Sequence, residues 1–241
     1  WEPSMKVTLL TLNNFTHDTR IHRTAKSLCQ AGYSVTVLAL WQEGLPMYED
    51  HPSGYRIERM PLAFRSWANR WLGPVVKYLE YAWKVWRRAK RNLSDLYHAN
   101  DANTLPAAWL AARRNHARLV YDAHELETGR YWAASRVAGF YRHLHALPEK
   151  LFIRQADTVI TVNPSIAEKL VVQYQIPMPV VVMNCPEANI NQPPRSRRLK
   201  EELDISAGAR IALYQGNITK GRGIEPFVQA VKLVPGLTGV I

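Results

Sequence analysis

The sequence predicts an α/β fold in which helices cover a doubly wound, parallel β-sheet. Short apolar, β-branched runs alternate with amphipathic helical patterns, which is typical of parallel strands joined by crossover helices. Residues 6–40 form one complete strand–helix–strand pattern. Several apolar runs also end in polar side chains, as expected where parallel strands deliver residues to one edge of a sheet.

The first strand–helix–strand unit has recognisable boundaries. Lys6–Leu12 predicts the first strand and Ser34–Leu40 the second. Asp18 can accept hydrogen bonds from free backbone N–H groups, so it is a suitable N-cap for a helix over Thr19–Ala31. Gly32 ends that helix, because glycine readily adopts the left-handed conformation found after helices. A right-handed crossover between two parallel strands is therefore expected.

The same alternation continues along the chain. Further strands are predicted over Tyr55–Met60, Leu96–Ala99, Leu119–Glu125, Ala156–Val162, Val180–Met183, Arg210–Tyr214 and Leu237–Ile241. Helices are predicted over Pro74–Arg91, Leu105–Arg114, Ser135–Gln155, Ile166–Tyr174, Ser196–Leu203 and Ile224–Val234, and a loop over Trp41–Ser53. A Pro- and Asn-rich run after residue 183 marks a domain boundary, which gives one domain over 1–190 and the start of another over 191–241.

Polar side chains follow three of the predicted strands. Leu119–Glu125 runs into Asp122 and His124, and two other strands end in a similar way. A lone histidine is more often a capping or core residue, but the carboxyl ends of parallel strands form the ligand-binding edge of such sheets. We therefore expect His124 to take part in chemistry at this edge. The other candidate site residues are Asn13, Asn14, His17, Arg20, His98, Asp101 and Glu125.

Composition and charge narrow the class of protein. The 241 residues carry a net charge of +11, which favours an anionic partner such as phosphate, nucleic acid or an acidic lipid surface. No apolar run approaches the roughly 20 residues that cross a bilayer, and residues 1–5 lack the parts of a signal peptide. Two scattered cysteines form neither a disulfide framework nor a metal site, so a reducing cytoplasm is expected. The sequence has no GxGxxG fingerprint and no P-loop, which argues against a dehydrogenase.

The helix predicted over Pro74–Arg91 combines aromatic and basic residues. Its cations include Lys84, Arg87, Arg88 and Arg91. One interpretation is an ordinary surface helix with exposed basic residues. The other is a surface that binds a membrane or an acceptor, where aromatic rings settle at the headgroups and cations meet anionic lipid. The sequence leaves both open.

A glycine-bearing turn joins the strand Arg210–Tyr214 to the helix Ile224–Val234. Free N–H groups and the positive end of the helix dipole can bind an anion at such a turn. The alternative is an ordinary solvated basic turn. The candidate anion-binding residues are Gly216, Asn217, Lys220, Arg222 and Gly223.

Together, five segments of the chain resemble family-four retaining glycosyltransferases, which have the GT-B fold of two Rossmann-like domains. These segments are residues 16–40, 95–108, 120–127, 147–170 and 214–230, including the motifs VYDAHELE and YQGNITKGRGIEPFVQA. The resemblance covers nearly the whole chain. It implies a Rossmann-like first domain, a truncated second one, and transfer of a sugar from a nucleoside diphosphate sugar to an acceptor hydroxyl with retention of configuration.

The resemblance also implies partners and location. No cofactor and no metal is expected, because family members stabilise the leaving diphosphate with backbone amides and basic side chains. The implied acceptor is a glycan or a lipid-linked molecule, in the synthesis of a bacterial surface or exported polysaccharide. The implied location is the cytoplasm, with peripheral binding to an anionic membrane surface. Nucleic acid is not expected as a partner, since no motif for it occurs.

Two positions carry the family's functional residues most directly. His124 matches the active-site histidine beside the donor sugar, and Arg222 takes the place of a basic residue, often lysine, in the diphosphate-binding turn. The chain departs from the family at Asn217, where many members have arginine, and it lacks the glycine-rich first loop of some members. The family's pair of donor-binding glutamates is not found within residues 1–241, so we expect these residues alone to lack transferase activity.

Two other functions remain alternatives at this point. One is a non-catalytic Rossmann-like module that binds an anionic glycan, lipid or nucleic acid through its positive charge. The other is a nucleotide-sugar epimerase of similar two-domain shape.

Overall fold

The computed structural model describes residues 4–63, 73–124, 146–185, 198–216, 218 and 222–241. The chain divides into two compact units, Trp1–Cys185 and Pro186–Ile241. A large, mainly parallel sheet with flanking helices makes up the first unit, so the predicted α/β fold class is confirmed.

The elements are numbered along the chain. The strands of the first unit are β1 (Lys6–Leu10), β2 (Ser34–Leu40), β3 (Tyr48–Asp50), β4 (Arg56–Met60), β5 (Leu96–Asn100), β6 (Arg118–Ala123), β7 (Thr158–Thr161) and β8 (Val180–Val181). Its helices are α1 (Thr19–Gln30), α2 (Gly73–Ala89), α3 (Leu105–Asn115), α4 (146–152) and α5 (Pro164–Tyr174), with a short 3₁₀ turn at Ile153–Gln155. The second unit contains α6 (Arg198–Glu202), β9 (Arg210–Leu213), α7 (Ile224–Lys232) and β10 (Leu237–Val240).

The eight strands that the structure describes in the first unit lie in the order β3-β4-β2-β1-β5-β6-β7-β8. Every neighbouring pair is parallel except β3 with β4. Because β1, β5 and β6 are consecutive in the sheet, the segments that follow these three strands leave from one edge. The register places Asn100 of β5 beside Asp122 of β6 at that edge.

The hydrophobic core has two layers, one on each face of the sheet. Successive residues of a strand point to opposite faces, so Leu9 of β1 packs with Ile21 of α1 while Leu10 packs with Tyr81 of α2. The second layer also includes residues of α3 and α5, such as Leu105. Helix α1 therefore covers one face, while α2, α3 and α5 cover the other.

The main difference from the predicted elements is β3, which lies inside the segment predicted as the loop Trp41–Ser53. This short strand pairs antiparallel with β4. Arg59 of β4 is only 4% exposed, and it donates to Glu49 at 2.8 Å and to the Pro46 carbonyl at 3.1 Å. The prediction was wrong here because three residues are too few to show an alternating pattern, and a contact with a distant arginine leaves no local signal.

Several predicted ends also shift. Strand β1 ends at Leu10 and β8 at Val181, each two residues before the predicted end. Of the helix predicted over Ser135–Gln155, the structure describes α4 and the 3₁₀ turn, and residues 135–145 lie outside the described part. Element ends fray and depend on capping contacts, so such shifts are expected.

The second unit has a small parallel sheet. Strands β9 and β10 pair in parallel with Arg210 beside Leu237, and α7 connects them. The rings of Tyr214 and Phe227 lie 6.1 Å apart between the end of β9 and α7. This strand–turn–helix–strand order is the one the sequence predicted.

Candidate active site

The turn after β5 brings Asp101 to the carboxyl edge of the sheet. Its backbone has a φ of 74°, a left-handed conformation that Asp and Asn tolerate better than most residues. The Asp101 N–H donates to the carbonyl of Asp122 at 3.3 Å, and the Thr104 N–H donates to the Asp101 carbonyl at 3.1 Å. This tight turn ties the end of β5 to the end of β6.

Four ionisable side chains meet at this edge: Arg20, Asp101, Asp122 and His124. Nδ1 of His124 lies 2.7 Å from Oδ1 of Asp101. Nη1 of Arg20 donates to Oδ2 of Asp122 at 3.2 Å, and its Nη2 lies 3.7 Å from Oδ2 of Asp101. Arg20 also contacts Nδ1 of His124. The side chains of Arg20 and Asp122 are only 14% and 9% exposed, so this pair is largely sheltered from water. We call these four residues the charged cluster.

The loop after β1 positions Arg20 in the first turn of α1. Asp18 accepts a hydrogen bond from the Ile21 N–H at 3.1 Å, which confirms the predicted N-cap. Nδ2 of Asn13 donates to the same Asp18 carboxylate at 3.0 Å, and Oδ1 of Asn13 accepts from the Phe15 N–H at 2.8 Å. The cap and the loop are therefore held together, and the start of α1 is fixed beside the strand ends.

Burial and the neighbouring positive charges shift the pKa of Asp122 in opposite directions. Burial raises the pKa of Asp122 above its usual range, while the positive charges of Arg20 and His124 oppose that rise, and the carboxylates of Asp101 and Asp18 add to it. Nδ1 of His124 faces both the Asp101 carboxylate, which can only accept a hydrogen bond, and the Arg20 guanidinium, which can only donate one. In its neutral form, a histidine at this edge can accept a hydrogen bond or a proton from a hydroxyl group.

His98 and Asn100 lie beneath the charged cluster on β5. Burial, with a smaller contribution from the Arg20 charge, lowers the pKa of His98 to about 4, so this histidine is neutral at physiological pH. Its Nε2 has no hydrogen-bond partner among the described residues, and His98 lines a cavity of about 280 Å³ together with Asp122. Asn100 donates to the Leu10 carbonyl at 3.0 Å, which ties β5 to β1.

The remaining candidates of the first unit lie in the loop after β1. Asn14 accepts from the Thr16 hydroxyl at 2.9 Å, and the same hydroxyl lies 2.9 Å from Nδ1 of His17. Glu125 lies outside the described residues. Four of the predicted site residues line one concavity of about 380 Å³, namely Asn13, Asn14, His17 and Arg20. The structure thus brings these four together at the edge that also carries His124.

In the second unit, the predicted anion-binding turn lies between β9 and α7. Arg222 is exposed, and Gly223 is the N-cap of α7 with a left-handed φ of 78°, which glycine adopts without strain. Gly216 is exposed at the start of the turn. Asn217 and Lys220 lie outside the described residues. Arg222 therefore stands directly before the N-terminus of a nine-residue helix.

The cations predicted on α2 divide into two groups. Lys84 pairs with Glu80 at 2.8 Å, and Arg88 pairs with Glu58 of β4 at 2.6 Å with only 12% of its side chain exposed. Lys84 and Arg88 therefore form ion pairs within the protein. Arg87 and Arg91 are exposed, and the Arg87 guanidinium lies 5.3 Å from the centre of the Trp83 ring.

Asp122 is the functional candidate that sequence reasoning passed over, since it was noted at the end of its strand but given no role. Its position two residues before His124, on a strand buried on both faces, was the available signal.

Among the described residues, no group of His, Cys, Asp or Glu could hold a metal ion. None of the described helices has the length and apolar character needed to cross a bilayer.

Comparison with known proteins identifies the fold and the family. A sucrose-phosphate synthase from Thermosynechococcus elongatus has a similar structure, with a TM-score of 0.76, 16% sequence identity, and coverage of 98% of this chain and 62% of that one. HepE from Anabaena, crystallised with UDP and glucose, has a TM-score of 0.62, 16% identity, and coverage of 98% and 60%. The chain thus spans about 60% of the length of these solved structures, and their shared architecture confirms the GT-B, Rossmann-like fold.

The same fold also occurs in another class of enzyme. A putative UDP-N-acetylglucosamine 2-epimerase from Listeria monocytogenes has a TM-score of 0.60, 12% identity, and coverage of 98% of this chain and 62% of that one. Fold similarity at this level of identity does not separate transferases from epimerases. A search of curated sequences gives no match.

Family membership rests on the sequence match instead. The family described as "Glycosyl transferase 4-like domain" matches residues 16–186, which include α1 and the whole charged cluster. This match covers well over half of the chain, and it agrees with the resemblance drawn from the sequence motifs. The protein therefore belongs to the glycosyl transferase 4-like domain family.

Proposed function

We propose that this chain is the acceptor-side part of a retaining glycosyltransferase that transfers a sugar from a nucleoside diphosphate sugar to an acceptor hydroxyl. The observation that carries the proposal is the contact of 2.7 Å between Nδ1 of His124 and Asp101 at the carboxyl edge of the sheet. It holds the imidazole ring at the ligand-binding edge of the sheet, which suits a histidine that binds a sugar or acceptor hydroxyl. Arg20 balances the two carboxylates beside it.

The donor is proposed to be a UDP-sugar or a related nucleotide sugar. HepE, which shares the fold, was crystallised with UDP and glucose and also with UDP-glucose. Here, the turn before α7 presents Arg222 at a helix N-terminus, where backbone N–H groups and the helix dipole favour a diphosphate. We propose that these groups stabilise the leaving diphosphate without a metal ion.

Nucleotide release gives the direct test. The full-length protein is incubated with UDP-, GDP- and ADP-sugars and a panel of glycan and lipid acceptors, and free nucleoside diphosphate is measured. We expect acceptor-dependent release from one donor class, and NMR of the product should show the anomeric configuration of the donor. Inversion at the anomeric carbon would refute the retaining mechanism but not the assignment as a transferase.

The two rival functions give different results in this assay. An epimerase would interconvert donor sugars without an acceptor. A non-catalytic module would bind an anionic ligand and release no nucleotide with any acceptor. The family match over residues 16–186 favours the transferase over both. We propose that this transfer takes place in the cytoplasm, in the synthesis of a bacterial surface or exported polysaccharide.

We also propose that α2 holds the enzyme at an anionic membrane surface. Trp83 is 50% exposed, and the exposed Arg87 follows it on α2. The exposed Arg91 lies two residues after the end of the helix at Ala89, and not at its last turn as the sequence predicted. Rings and cations arranged in this way match the headgroup region of a bilayer. Flotation with liposomes should show binding that increases with anionic lipid and weakens with salt.

Charge reversal provides the matched control for this membrane test. Reversal of both Arg87 and Arg91 to Glu should reduce flotation, whereas the same double reversal at the exposed Lys169 and Lys232, outside α2, should change it less. Binding that ignores lipid charge would identify α2 as an ordinary surface helix.

A further inference from the structure

One helix, α1, contacts both the charged cluster and the last residues of the first unit. Arg20 donates to Asp122 within the charged cluster. Arg23 follows three residues later, so the two arginines are neighbours on the same side of the helix. Nη1 of Arg23 donates to Oδ1 of Asn184 at 2.6 Å and to the carbonyl of Cys185 at 3.0 Å. These contacts join positions that are 161 and 162 residues apart in the sequence.

The two acceptors of Arg23 are the residues at which the chain leaves the first unit. The boundary between the two compact units falls between Cys185 and Pro186. The Val182 N–H still continues the pairing of β8 with β7, because it donates to the Thr161 carbonyl at 2.8 Å. Beyond that point, the hydrogen bonds between this segment and any other described element are the two from Arg23.

Little apolar burial holds the segment between β8 and the boundary in place. Val180 is 53% exposed, Val182 is 54% exposed and Met183 is 66% exposed. Helix α1 and residues 182–185 both line the cavity of about 280 Å³ that His98 lines, so a space remains between them. Hydrogen bonds from a charged donor are shorter and stronger than those between neutral groups. The direction of this segment therefore depends on the guanidinium that reaches it.

We propose that Arg23 is a positioning residue that fixes the direction in which the chain leaves the first unit. The second unit carries the turn with Arg222 that is proposed to bind the donor diphosphate, and it is joined covalently to the first through Cys185. Without Arg23, the second unit should take a wider range of positions, and the donor should meet His124 less often in a productive geometry. This effect on turnover rests on the proposed transferase function, whereas the effect on the chain does not.

Distances between the two units give the first test. Spin labels are attached at the exposed positions of Lys169→Cys in α5 and Lys232→Cys in α7, in a full-length protein whose other cysteines are replaced by alanine. The acceptor at residue 185 is a backbone carbonyl, so alanine there keeps both contacts of Arg23. Freeing residues 183–185 would let the exit point move by roughly 10 Å, so Arg23→Gln should broaden the distance distribution in pulsed EPR by several ångströms. An unchanged distribution overturns the proposal.

Arg154 supplies the matched control. Its Nε donates to the Tyr174 carbonyl at 2.8 Å and its Nη2 to Oε1 of Gln175 at 3.4 Å, so it also joins two segments through neutral oxygens. It lies just before β7, at the edge of the sheet opposite the charged cluster. Arg154→Gln should therefore leave both the distance distribution and turnover unchanged. Equal broadening by Arg154→Gln and Arg23→Gln overturns the proposal, because the effect would then be a general loosening of the first unit.

Kinetics of the full-length enzyme give the second test. Arg23→Gln should lower kcat about tenfold, because small displacements of reacting groups are costly, while the Kd for the nucleoside diphosphate without acceptor stays close to that of wild type. Arg23→Lys keeps a charged donor and should recover part of the loss. Asn184→Ala should have little further effect in the Arg23→Gln background, since both substitutions remove the same contact. Additive effects would show that Arg23 acts through other groups.

The two proposals can fail separately. A broader distance distribution with no nucleotide release from any donor would support the role of Arg23 and refute the transferase. Nucleotide release that Arg23→Gln leaves unchanged, together with an unchanged distance distribution, would refute the role of Arg23 and support the transferase. A lower kcat with an unchanged distribution would also refute that role, because Arg23 would then act directly on the charged cluster.

Discussion

Asp122 and Glu149 are both buried carboxylates in the first unit, and burial raises the pKa of both. Their surroundings differ in kind. Glu149 of α4 is 0% exposed and accepts hydrogen bonds from the hydroxyls of Tyr121 and Tyr174, each at 2.6 Å. Asp122 instead faces a guanidinium, an imidazole and another carboxylate within the charged cluster.

The difference shows why burial alone does not identify a functional carboxylate. Glu149 joins α4 to β6 and α5 through neutral hydroxyl groups. Each of its two carboxylate oxygens therefore has a hydrogen-bond donor within the core. Asp122 is held by charges that lie at the solvent-facing edge of the sheet, and these charges also orient His124. A buried carboxylate among charged side chains at a sheet edge is a candidate for catalysis, whereas one that accepts from neutral hydroxyls is a candidate for a structural role.

The largest expected effect comes from breaking the charge balance at Arg20. Arg20→Gln removes the cation that partly offsets the burial of Asp122, and we expect a loss of about 3 kcal/mol of stability at pH 8. Removing the cation raises the pKa of Asp122 further. An acid whose pKa is raised in the folded state loses stability as pH increases, so the variant should be closest to wild type below about pH 4.

Urea unfolding of both proteins between pH 4 and pH 8 measures this difference. Asp122→Asn in the Arg20→Gln background should recover most of the loss. Arg23→Gln is the control, because Arg23 donates to the neutral oxygens of Asn184 and Cys185. A destabilisation that is the same at every pH would contradict the role assigned to Asp122.

Glu149→Leu should reduce stability by about 2 kcal/mol, because it removes the acceptor that both tyrosine hydroxyls use. The midpoint of urea unfolding reports this loss. In the full-length enzyme at a temperature where the variant is folded, turnover should be close to that of wild type. A large loss of turnover in folded protein would place Glu149 in the functional site and remove the contrast with Asp122.

His124→Ala should have the opposite profile. We expect turnover of the full-length enzyme to fall at least tenfold, in the range found for positioned polar groups, while the melting temperature changes by only a few degrees. His22→Gln is a suitable control, because Nδ1 of His22 bonds the Tyr55 hydroxyl at 2.7 Å within the structure. Near-normal turnover of His124→Ala would exclude the assigned role.

Asp101→Asn should give the smallest effect, about a tenfold or lesser decrease in kcat with the donor KM unchanged. Asparagine accepts the left-handed conformation of residue 101, whereas alanine would add about 1 kcal/mol of backbone strain. If Asp101 acts by orienting His124, then Asp101→Asn should have little further effect in the His124→Ala background. Additive effects of the two substitutions would show that Asp101 acts independently.

Much of the fold could be predicted because its signals are local. Asp18 caps its helix as the sequence indicated, by accepting from the Ile21 N–H at 3.1 Å. The bounds of β2 are those predicted from its apolar pattern. Parallel pairing brings the strand ends to one edge of the sheet. His124 and Asp101 were both candidates for that reason.

The contacts that define the site could not be predicted in the same way. The bond between Asp101 and His124 depends on a left-handed turn and on the pairing of β5 with β6, and neither is encoded in a short pattern. Arg88 looked like a lipid-facing cation until its partner, Glu58, was known, because the two residues are far apart in sequence. Long-range ion pairs of this kind are decided by tertiary packing.

Among the strands that the structure describes, the two outermost of the large sheet are the shortest, which bears on solubility. Strand β3 has three residues and β8 has two, while the strands between them have four to seven. Sheet edges with long rows of unpaired N–H and C=O groups recruit strands from other molecules and lead to aggregation. Short edge strands offer few such groups, and the antiparallel β3 carries Glu49 and Asp50 at the edge. The molecule thereby protects a central sheet of apolar strands against edge-to-edge growth.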